Sequence, residues 1–302
     1  MSSGKSRAAL LSVVSNSALI VLKLAAGILT GSIAILTEAV HSAIDLLASL
    51  VALISVRKAD VPADADHPYG HEKAENVAAG AEGMLILLGA AIIVTEAVRR
   101  LLGDSEVEHL GIGIAVIGVS VVANLIVSTY LYKRAKEHDS AALEGDAAHL
   151  RADAFTSIAV LVGLIAVEVT GISEFDSIAA LAVAVAIVVT GVRLLLRSGR
   201  VLMDEALPPA ELDRIEEAIR GARPQQMAGY HRLRGRRAGS RRHVDMHVQF
   251  RAGTSLEEAH RLAHELRAAI EAEIDNADVL IHVEPEDSLR GSPDRAGPLR
   301  HG

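Results

Sequence analysis

The sequence predicts an α-helical membrane protein in which six transmembrane helices are followed by a small cytoplasmic α+β domain. Half of the 302 residues are hydrophobic, and the mean hydropathy is +0.32. Residues 8–56 contain only three charged side chains, Lys23, Glu38 and Asp45, whereas charged residues are frequent after position 205. This asymmetry is typical of a membrane domain followed by a soluble one. We therefore expect a transmembrane domain at 1–204, a cytoplasmic domain at 205–287 and a disordered tail at 288–302.

Six apolar stretches are long enough to cross a bilayer, which requires about 20 residues. They are 8–30, 33–56, 77–101, 109–132, 145–170 and 175–197. Tight turns are predicted at 30–32 and 170–173, polar loops at 57–74 and 133–139, and a short acidic loop at 101–109. Lys23 falls in the middle of the first stretch, where it either reaches the interface, packs between helices or takes part in transport.

The distribution of basic residues predicts the orientation of the helices. Eleven Lys and Arg residues flank the predicted helices on one side, against Arg99 and Arg100 on the other. Because basic residues are enriched on the cytoplasmic side, both termini should be cytoplasmic. We expect a multi-pass protein of a bacterial inner membrane, in contact with lipid. The net charge of −8 argues against a nucleic-acid partner, and the absence of cysteine excludes disulfides and thiolate metal ligands.

The tail has the element order α-β-β-α-β. Helices are predicted over 209–222 and 255–274, the second with Thr254 as N-cap and Glu257 completing a capping box. Alternating polarity predicts strands at 229–236, 243–250 and 279–284, with a turn at 237–240 between the first two. Six arginines lie between Arg232 and Arg242. We interpret them as the solvated surface of a hairpin, the alternative being contact with anionic lipid head groups. His243 is expected at the surface.

Two pairs of metal-ligand residues lie within the apolar helices. His41 and Asp45 form the first pair, and His149 and Asp153 the second. Residues four apart share a helix face, so each pair directs a nitrogen and a carboxylate oxygen to one point. Two such helices side by side supply a tetrahedral set suited to Zn²⁺. Asp146, three residues before His149, is either a neighbour of this site, a proton acceptor or a polar residue at a helix start.

Three segments of the sequence resemble the cation diffusion facilitator family of metal transporters. They are LKLAAGILTGSIAILTEAVHSAIDLLAS, HPYGHEKAE and HLRADAFTS, and the resemblance extends from the first helix to about Glu286. It implies six transmembrane helices and a metallochaperone-like cytoplasmic domain. It also implies a homodimer that exports divalent metal in exchange for protons. The transport site would be His41, Asp45, His149 and Asp153, and His41 is similar to the residue found in zinc-selective members.

The resemblance also implies two further metal sites. In the 57–74 loop, Asp64, His67 and His71 match a second site of the family, the alternative being a solvated acidic loop. In the tail, five residues fall where the family has cytoplasmic ligands, namely His231, His247, His260, His282 and Glu284. Zinc bound there would stabilise the dimer and promote transport.

The sequence therefore predicts a divalent cation efflux transporter, most simply a Zn²⁺/H⁺ antiporter, and not an enzyme. Zn²⁺ would be both the transported substrate and a regulatory ligand. The alternatives are the same fold exporting Cd²⁺, Fe²⁺, Co²⁺ or Mn²⁺, and a non-transporting membrane metal sensor that uses the tail sites alone.

Overall fold

A computed structural model describes residues 4–30, 33–102, 111–170 and 174–287 of the chain. The chain divides into two compact units, Met1–Arg200 and Val201–Gly302. The predicted turns at 30–32, 101–109 and 170–173 lie wholly or partly outside the described residues, as does the predicted disordered tail.

The first unit consists of long helices. They are α1 Gly4–Thr30, α2 Ile33–Ala59, α3 Ala74–Leu102, α4 Gly111–His138, α5 Ala141–Thr170 and α6 Glu174–Leu202, the last of which ends just inside the second unit. Among the described residues, four helices are long and apolar enough to cross a membrane, at Gly4–Leu29, Ala74–Arg99, Ala115–His138 and Ala180–Leu202. They belong to α1, α3, α4 and α6. That α2 and α5 also cross the membrane stays a prediction.

Small residues form much of the contact between these helices. One buried cluster joins α1, α2, α3, α4 and α5 and is rich in alanine, at Ala8, Ala9, Ala52, Ala78, Ala135, Ala142 and Ala147. Small side chains allow backbones to approach closely, which is how helices associate in lipid. Large apolar side chains instead lie on the outside, among them Val21, Ile28 and Leu29 of α1. This distribution suits a unit surrounded by hydrocarbon rather than by water.

The structure corrects one expectation for this unit and bears on the alternatives for Lys23. The predicted loop at 133–139 is wrong, because α4 continues to His138. Glu137 lies one turn from Lys133 and Arg134 and forms ion pairs with both, at 4.0 and 2.7 Å, which stabilises the additional helical turns. Lys23 is 4% exposed within the unit and donates a hydrogen bond to Ser42 Oγ at 2.6 Å. This contact fits a packing role between α1 and α2.

The second unit is a three-stranded sheet with two helices, in the predicted order. Its elements are α7 Pro209–Gly221, β1 Met227–Ala238, β2 Arg241–Phe250, α8 Leu256–Glu273 and β3 Ala277–Pro285. The strand order is β1-β2-β3, in which β1 is antiparallel and β3 parallel to the central β2. A parallel pair needs a crossover connection, and α8 provides it.

One face of this sheet is the core of the domain. The alternate residues Val244, Met246 and Val248 of β2 are buried together with Ile215 of α7 and Leu266 of α8. Because successive side chains of a strand point to opposite faces, the intervening residues of β2 lie on the face away from the helices. That outer face carries four of the five predicted metal ligands of the tail, and the fifth, His260, belongs to α8.

Two local predictions in the tail are wrong by one or two residues. The hairpin turn is Gly239–Ser240 rather than 237–240, because Ala238 already pairs with Arg241. Gly239 has φ +56°, a conformation that glycine adopts without strain. The N-cap of α8 is Ser255, whose hydroxyl accepts from the Glu258 N–H at 3.1 Å, rather than Thr254.

The hairpin arginines form ion pairs within the domain. Arg237 and Arg242 both contact Glu211 at the start of α7, and Arg234 pairs with Asp245. Burial raises the pKa of Glu211, but hydrogen bonds from Arg242 and Arg237 outweigh it, so the pKa lies below its usual value. These contacts tie the hairpin to α7 and account for much of the arginine cluster without lipid.

His243 is a further correction. The sequence led us to expect it at the surface, but the side chain is buried, with its Nδ1 3.4 Å from Asp278 Oδ2 of the neighbouring strand.

Candidate metal centres

Among the described residues, three groups of histidines and carboxylates place their ligand atoms within 4.8 Å of one another. The groups are Asp45, His149 and Asp153; Asp64, His67 and His71; and His231, His247 and Glu284. We call them the helix group, the loop group and the sheet group.

The helix group joins α2 to α5. His149 Nε2 lies 3.3 Å from Asp45 Oδ1 and 3.7 Å from Asp153 Oδ2. Asp45 and His149 are buried, and Asp153 is half-buried. His41 belongs to α2, four residues before Asp45, but its side chain lies outside the described part of the chain. The described atoms supply one nitrogen and two oxygens, a donor set that suits Zn²⁺ or another borderline divalent metal.

A buried hydrogen-bond network lies one helical turn from this group. Ser49 Oγ donates to Asp146 Oδ1 at 2.9 Å, and Asn16 Nδ2 donates to Ser49 Oγ at 2.7 Å. Asn16 Nδ2 is also 3.4 Å from the Asp45 carbonyl oxygen, and Ser12 Oγ is 2.9 Å from Ser49 Oγ. Asp146 is fully buried and follows the start of α5 by five residues, so it is not a polar residue of the first turn.

Of this surrounding layer, only Asp146 was predicted from the sequence. Asn16, Ser49 and Glu82 of α3 were not. Glu82 is completely buried, and among the described residues neither carboxylate oxygen has a hydrogen-bond partner. The available signal was a carboxylate inside the apolar stretch at 77–101, because such groups are expensive in a bilayer.

The loop group follows α2. Asp64 Oδ1 accepts a hydrogen bond from the His67 N–H at 2.7 Å, and Asp64 Oδ2 lies 3.3 Å from His71 Nε2. The two imidazole rings are 4.4 Å apart between centroids. A chain reversal allows this approach, with Gly70 at φ +91° and its N–H donating to the His67 carbonyl. The His67 N–H holds the pKa of the Asp64 carboxyl below its usual value, so the carboxylate is charged at neutral pH.

The sheet group lies on three adjacent strands. His231 of β1 pairs in register with His247 of β2, which pairs in register with His282 of β3. Glu284 contacts two of these rings, with Oε2 3.0 Å from His231 Nε2 and Oε1 2.6 Å from His247 Nδ1. His282 lies at the edge of this row. Its Nε2 is 3.7 Å from Glu284 Oε1, its ring centroid is 4.7 Å from that of His247, and its side chain is 64% exposed.

His260 is not brought to the sheet group. It is exposed on α8, with its ring centroid 4.5 Å from that of His264 one helical turn away. Neighbouring residues of the same helix, Leu262 and Leu266, pack into the core on the other face of the sheet. Four of the five predicted tail ligands therefore lie together on the outer face, and His260 lies apart from them.

Comparison with protein families covers nearly the whole chain. Residues 9–203 match the cation efflux transmembrane domain, and residues 207–286 match the cytoplasmic domain of cation efflux proteins. The chain is 34% identical over 277 residues to a Synechocystis protein described as an uncharacterized transporter, covering 92% of this chain and 89% of the other. It is 33% identical over 267 residues to the cation-efflux pump FieF of Pectobacterium atrosepticum, covering 88% of each.

Two solved structures are similar to part of the chain. CzrB in its zinc form is 42% identical and covers 28% of this chain and 96% of its own, with a TM-score of 0.25. The metal-bound C-terminal domain of the CzcD transporter from Thermotoga maritima is 30% identical and covers 26% and 94%, with a TM-score of 0.24.

Proposed function

The chain belongs to the cation efflux family, that of the cation diffusion facilitators, and from this premise we propose that it is a Zn²⁺/H⁺ antiporter that exports zinc from the cytoplasm. The family consists of membrane transporters rather than enzymes. One observation carries the proposal: Asp45, His149 and Asp153 converge inside the helical unit from two different helices. With His41 as the fourth ligand, the helix group would be the transport site.

The donor set supports zinc as the substrate. Two imidazole nitrogens and two carboxylate oxygens make a tetrahedral site of the kind that Zn²⁺ prefers. Mn²⁺ favours oxygen ligands, which makes it the weakest of the alternatives, whereas Cd²⁺, Fe²⁺ and Co²⁺ remain competitors.

The same residues account for proton exchange. Zinc requires neutral imidazole and ionised carboxylate, so its binding releases protons from a site that was protonated before. Protons and zinc thus compete for one set of atoms. Alternation of access to this site between the two sides of the membrane then couples their fluxes.

The other two groups are assigned supporting roles. The loop group would bind zinc at the cytoplasmic surface, because the basic residues near both termini predict a cytoplasmic location for the 57–74 loop. The sheet group, with His260 and His282, would bind regulatory zinc in a homodimer. All six long helices would cross a bacterial inner membrane, with both termini in the cytoplasm.

The test is zinc uptake into proteoliposomes that are more acidic inside than outside. The native chain should accumulate Zn²⁺ while protons leave, and Asp45→Ala should reduce uptake to the level of protein-free vesicles. Asp213→Ala, at an exposed position of α7, is the control and should transport normally. If the folded native protein binds zinc but moves none, the sensor function or another ion is favoured, and Cd²⁺, Fe²⁺, Co²⁺ and Mn²⁺ would be compared in the same assay.

A further inference from the structure

Glu82 is a buried acid that the proposed transport cycle does not use. It belongs to α3, which contributes no predicted ligand to the helix group, and it is 0% exposed. Among the described residues, both of its carboxylate oxygens lack a hydrogen-bond partner. Buried polar groups are nearly always paired, so an exception of this kind calls for a functional explanation.

His149 has a buried ring nitrogen that would need a hydrogen-bond acceptor. Its Nε2 faces Asp45 and Asp153, which makes Nε2 the nitrogen that would coordinate the metal. A neutral imidazole that coordinates through Nε2 carries its proton on Nδ1. His149 Nδ1 is also buried and has no hydrogen-bond partner among the described residues. Ligating histidines almost always donate this second N–H to a carboxylate, a carbonyl or water.

Gly145 brings the Glu82 side chain close to His149. Gly145 is four residues before His149 and therefore lies on the same face of α5. A Cβ atom at Gly145 would be 3.0 Å from Glu82 Cγ, 3.1 Å from Glu82 Cβ and 3.3 Å from Ala79 Cα. The missing side chain thus leaves the space that Glu82 occupies. Positions 145 and 149 are neighbours on this helix face, and the Cβ positions of such neighbours are about 5–6 Å apart. Rotation of the Glu82 side chain can move its carboxylate over this distance, from Gly145 towards His149.

Glu82 lies within electrostatic range of His149 and of the carboxylates of Asp146, Asp153 and Asp45. Asp146 is the rival acceptor for His149. Its Oδ1 accepts a hydrogen bond from Ser49 Oγ, whereas its Oδ2 is buried and has no partner among the described residues. Glu82 is favoured because both of its oxygens lack a partner and its side chain packs against Gly145, on the same face of α5 as His149.

We propose that Glu82 is a positioning residue that accepts a hydrogen bond from His149 Nδ1–H when zinc is bound at Nε2. The contact fixes the tautomer and the orientation of the ring, and it makes the imidazole a stronger ligand. This inference rests on the proposed function, because it takes the helix group to be the transport site.

The test measures Zn²⁺ affinity in the full-length chain with four substitutions that remove the other groups, His67→Ala, His71→Ala, His231→Ala and His247→Ala. In this background, Glu82→Leu should weaken zinc binding by about 10–100-fold. Glu82→Gln should retain most of the affinity, because the amide oxygen still accepts from Nδ1–H. Glu144→Gln is the matched control on α5, since Glu144 is paired with Arg197, and it should bind zinc normally.

A double-mutant cycle separates positioning from packing. Gly145→Ala should weaken binding by displacing Glu82, and it should have little effect once Glu82 is already Leu. If Glu82→Leu does not fold, Gly145→Ala alone must still lower the affinity.

Native affinity in folded Glu82→Leu would overturn the role of Glu82, as would equal losses in Glu82→Leu and Glu82→Gln. A loss in Asp146→Asn with none in Glu82→Leu would assign the role to Asp146. A background chain that binds no zinc would overturn the transport site itself.

Discussion

The helix group and the sheet group use similar side chains on different supports. In the sheet group, His231 and His247 lie at registered positions of adjacent strands, with His282 next in the row, and backbone hydrogen bonds between those strands fix their separation. In the helix group, Asp45 and His149 come from two helices whose described residues share no backbone hydrogen bonds and meet in a buried cluster of alanine, leucine and valine side chains. The positions of the sheet ligands are therefore set by the backbone, and those of the helix ligands by the packing of side chains.

This difference matches the two roles that we propose. A transport site has to release its ion, which requires helices that slide or tilt against one another, and small-residue contacts permit such shifts. A regulatory site benefits from ligands that are preorganised, because less ordering accompanies binding. Glu284 already contacts two of the histidines of its group.

The largest expected effect is a difference in zinc flux between two variants, each of which lacks one histidine of one group. His149→Ala should reduce zinc flux to the level of protein-free vesicles, because it removes the ligand between the two carboxylates. His247→Ala should retain most of the native rate at saturating zinc and lose the zinc-dependent increase in thermal stability. Zinc flux is measured in proteoliposomes, and the stabilisation by zinc is measured by thermal unfolding with and without the metal.

Equal loss of flux in these two variants would contradict the division of roles. Lys58→Ala, at an exposed position near the end of α2, is the control for reconstitution and should behave like the native chain in both assays.

A smaller effect is expected at the loop group, whose three ligands belong to a single loop. His67→Ala with His71→Ala should lower the zinc stoichiometry by about one ion per chain while transport at saturating zinc continues. Asp64 stays charged at both pH 7.5 and pH 5.5 because its pKa is lowered, so its carboxylate remains available to the ion at both values. Equilibrium dialysis at pH 7.5 and 5.5 measures the change, and an unchanged ion count in the double variant would remove this site.

The smallest effect concerns the support of the sheet group rather than its ligands. Glu211→Gln should lower the free energy of unfolding of the second unit by about 1–3 kcal/mol, because Arg237 and Arg242 lose their charged partner. The folded-state pKa of Glu211 is below the usual 4.5, so this stabilisation is complete above about pH 4.5 and is lost as the pH falls below it. Denaturant unfolding at pH 7 and pH 4 should show a smaller difference between variant and native chain at the lower pH.

Much of the fold followed from the sequence because apolar length and strand alternation are local signals. The α-β-β-α-β order of the tail and its separation from the helical part were predicted in this way. The end of α4 was not, since ion pairs such as Arg134–Glu137 stabilise a polar segment as helix. The N-cap was misplaced because Thr254 and Ser255 are equally suitable by residue type, and only the backbone decides between them.

The candidate sites show a similar limit. Spacing on one helix or one loop predicted groups such as Asp64, His67 and His71, whose members are close in the chain. The positions of Glu82 and Asn16 beside other helices depend on which helix faces meet, and a single sequence does not contain that information. The burial of His243 could not be predicted for the same reason. Its partner Asp278 lies on β3, which follows α8 in the chain and pairs with β2 only in the folded sheet.

The parallel pairing of β2 with β3 has a consequence for biosynthesis. His231 and His247 meet across a hairpin that forms locally, but Glu284 reaches them only after α8 has been synthesised and has folded across the sheet. During translation the chain therefore completes the helix ligands first and the sheet ligands last. A nascent transporter would acquire its pathway for zinc before it acquires the site that we propose to regulate it.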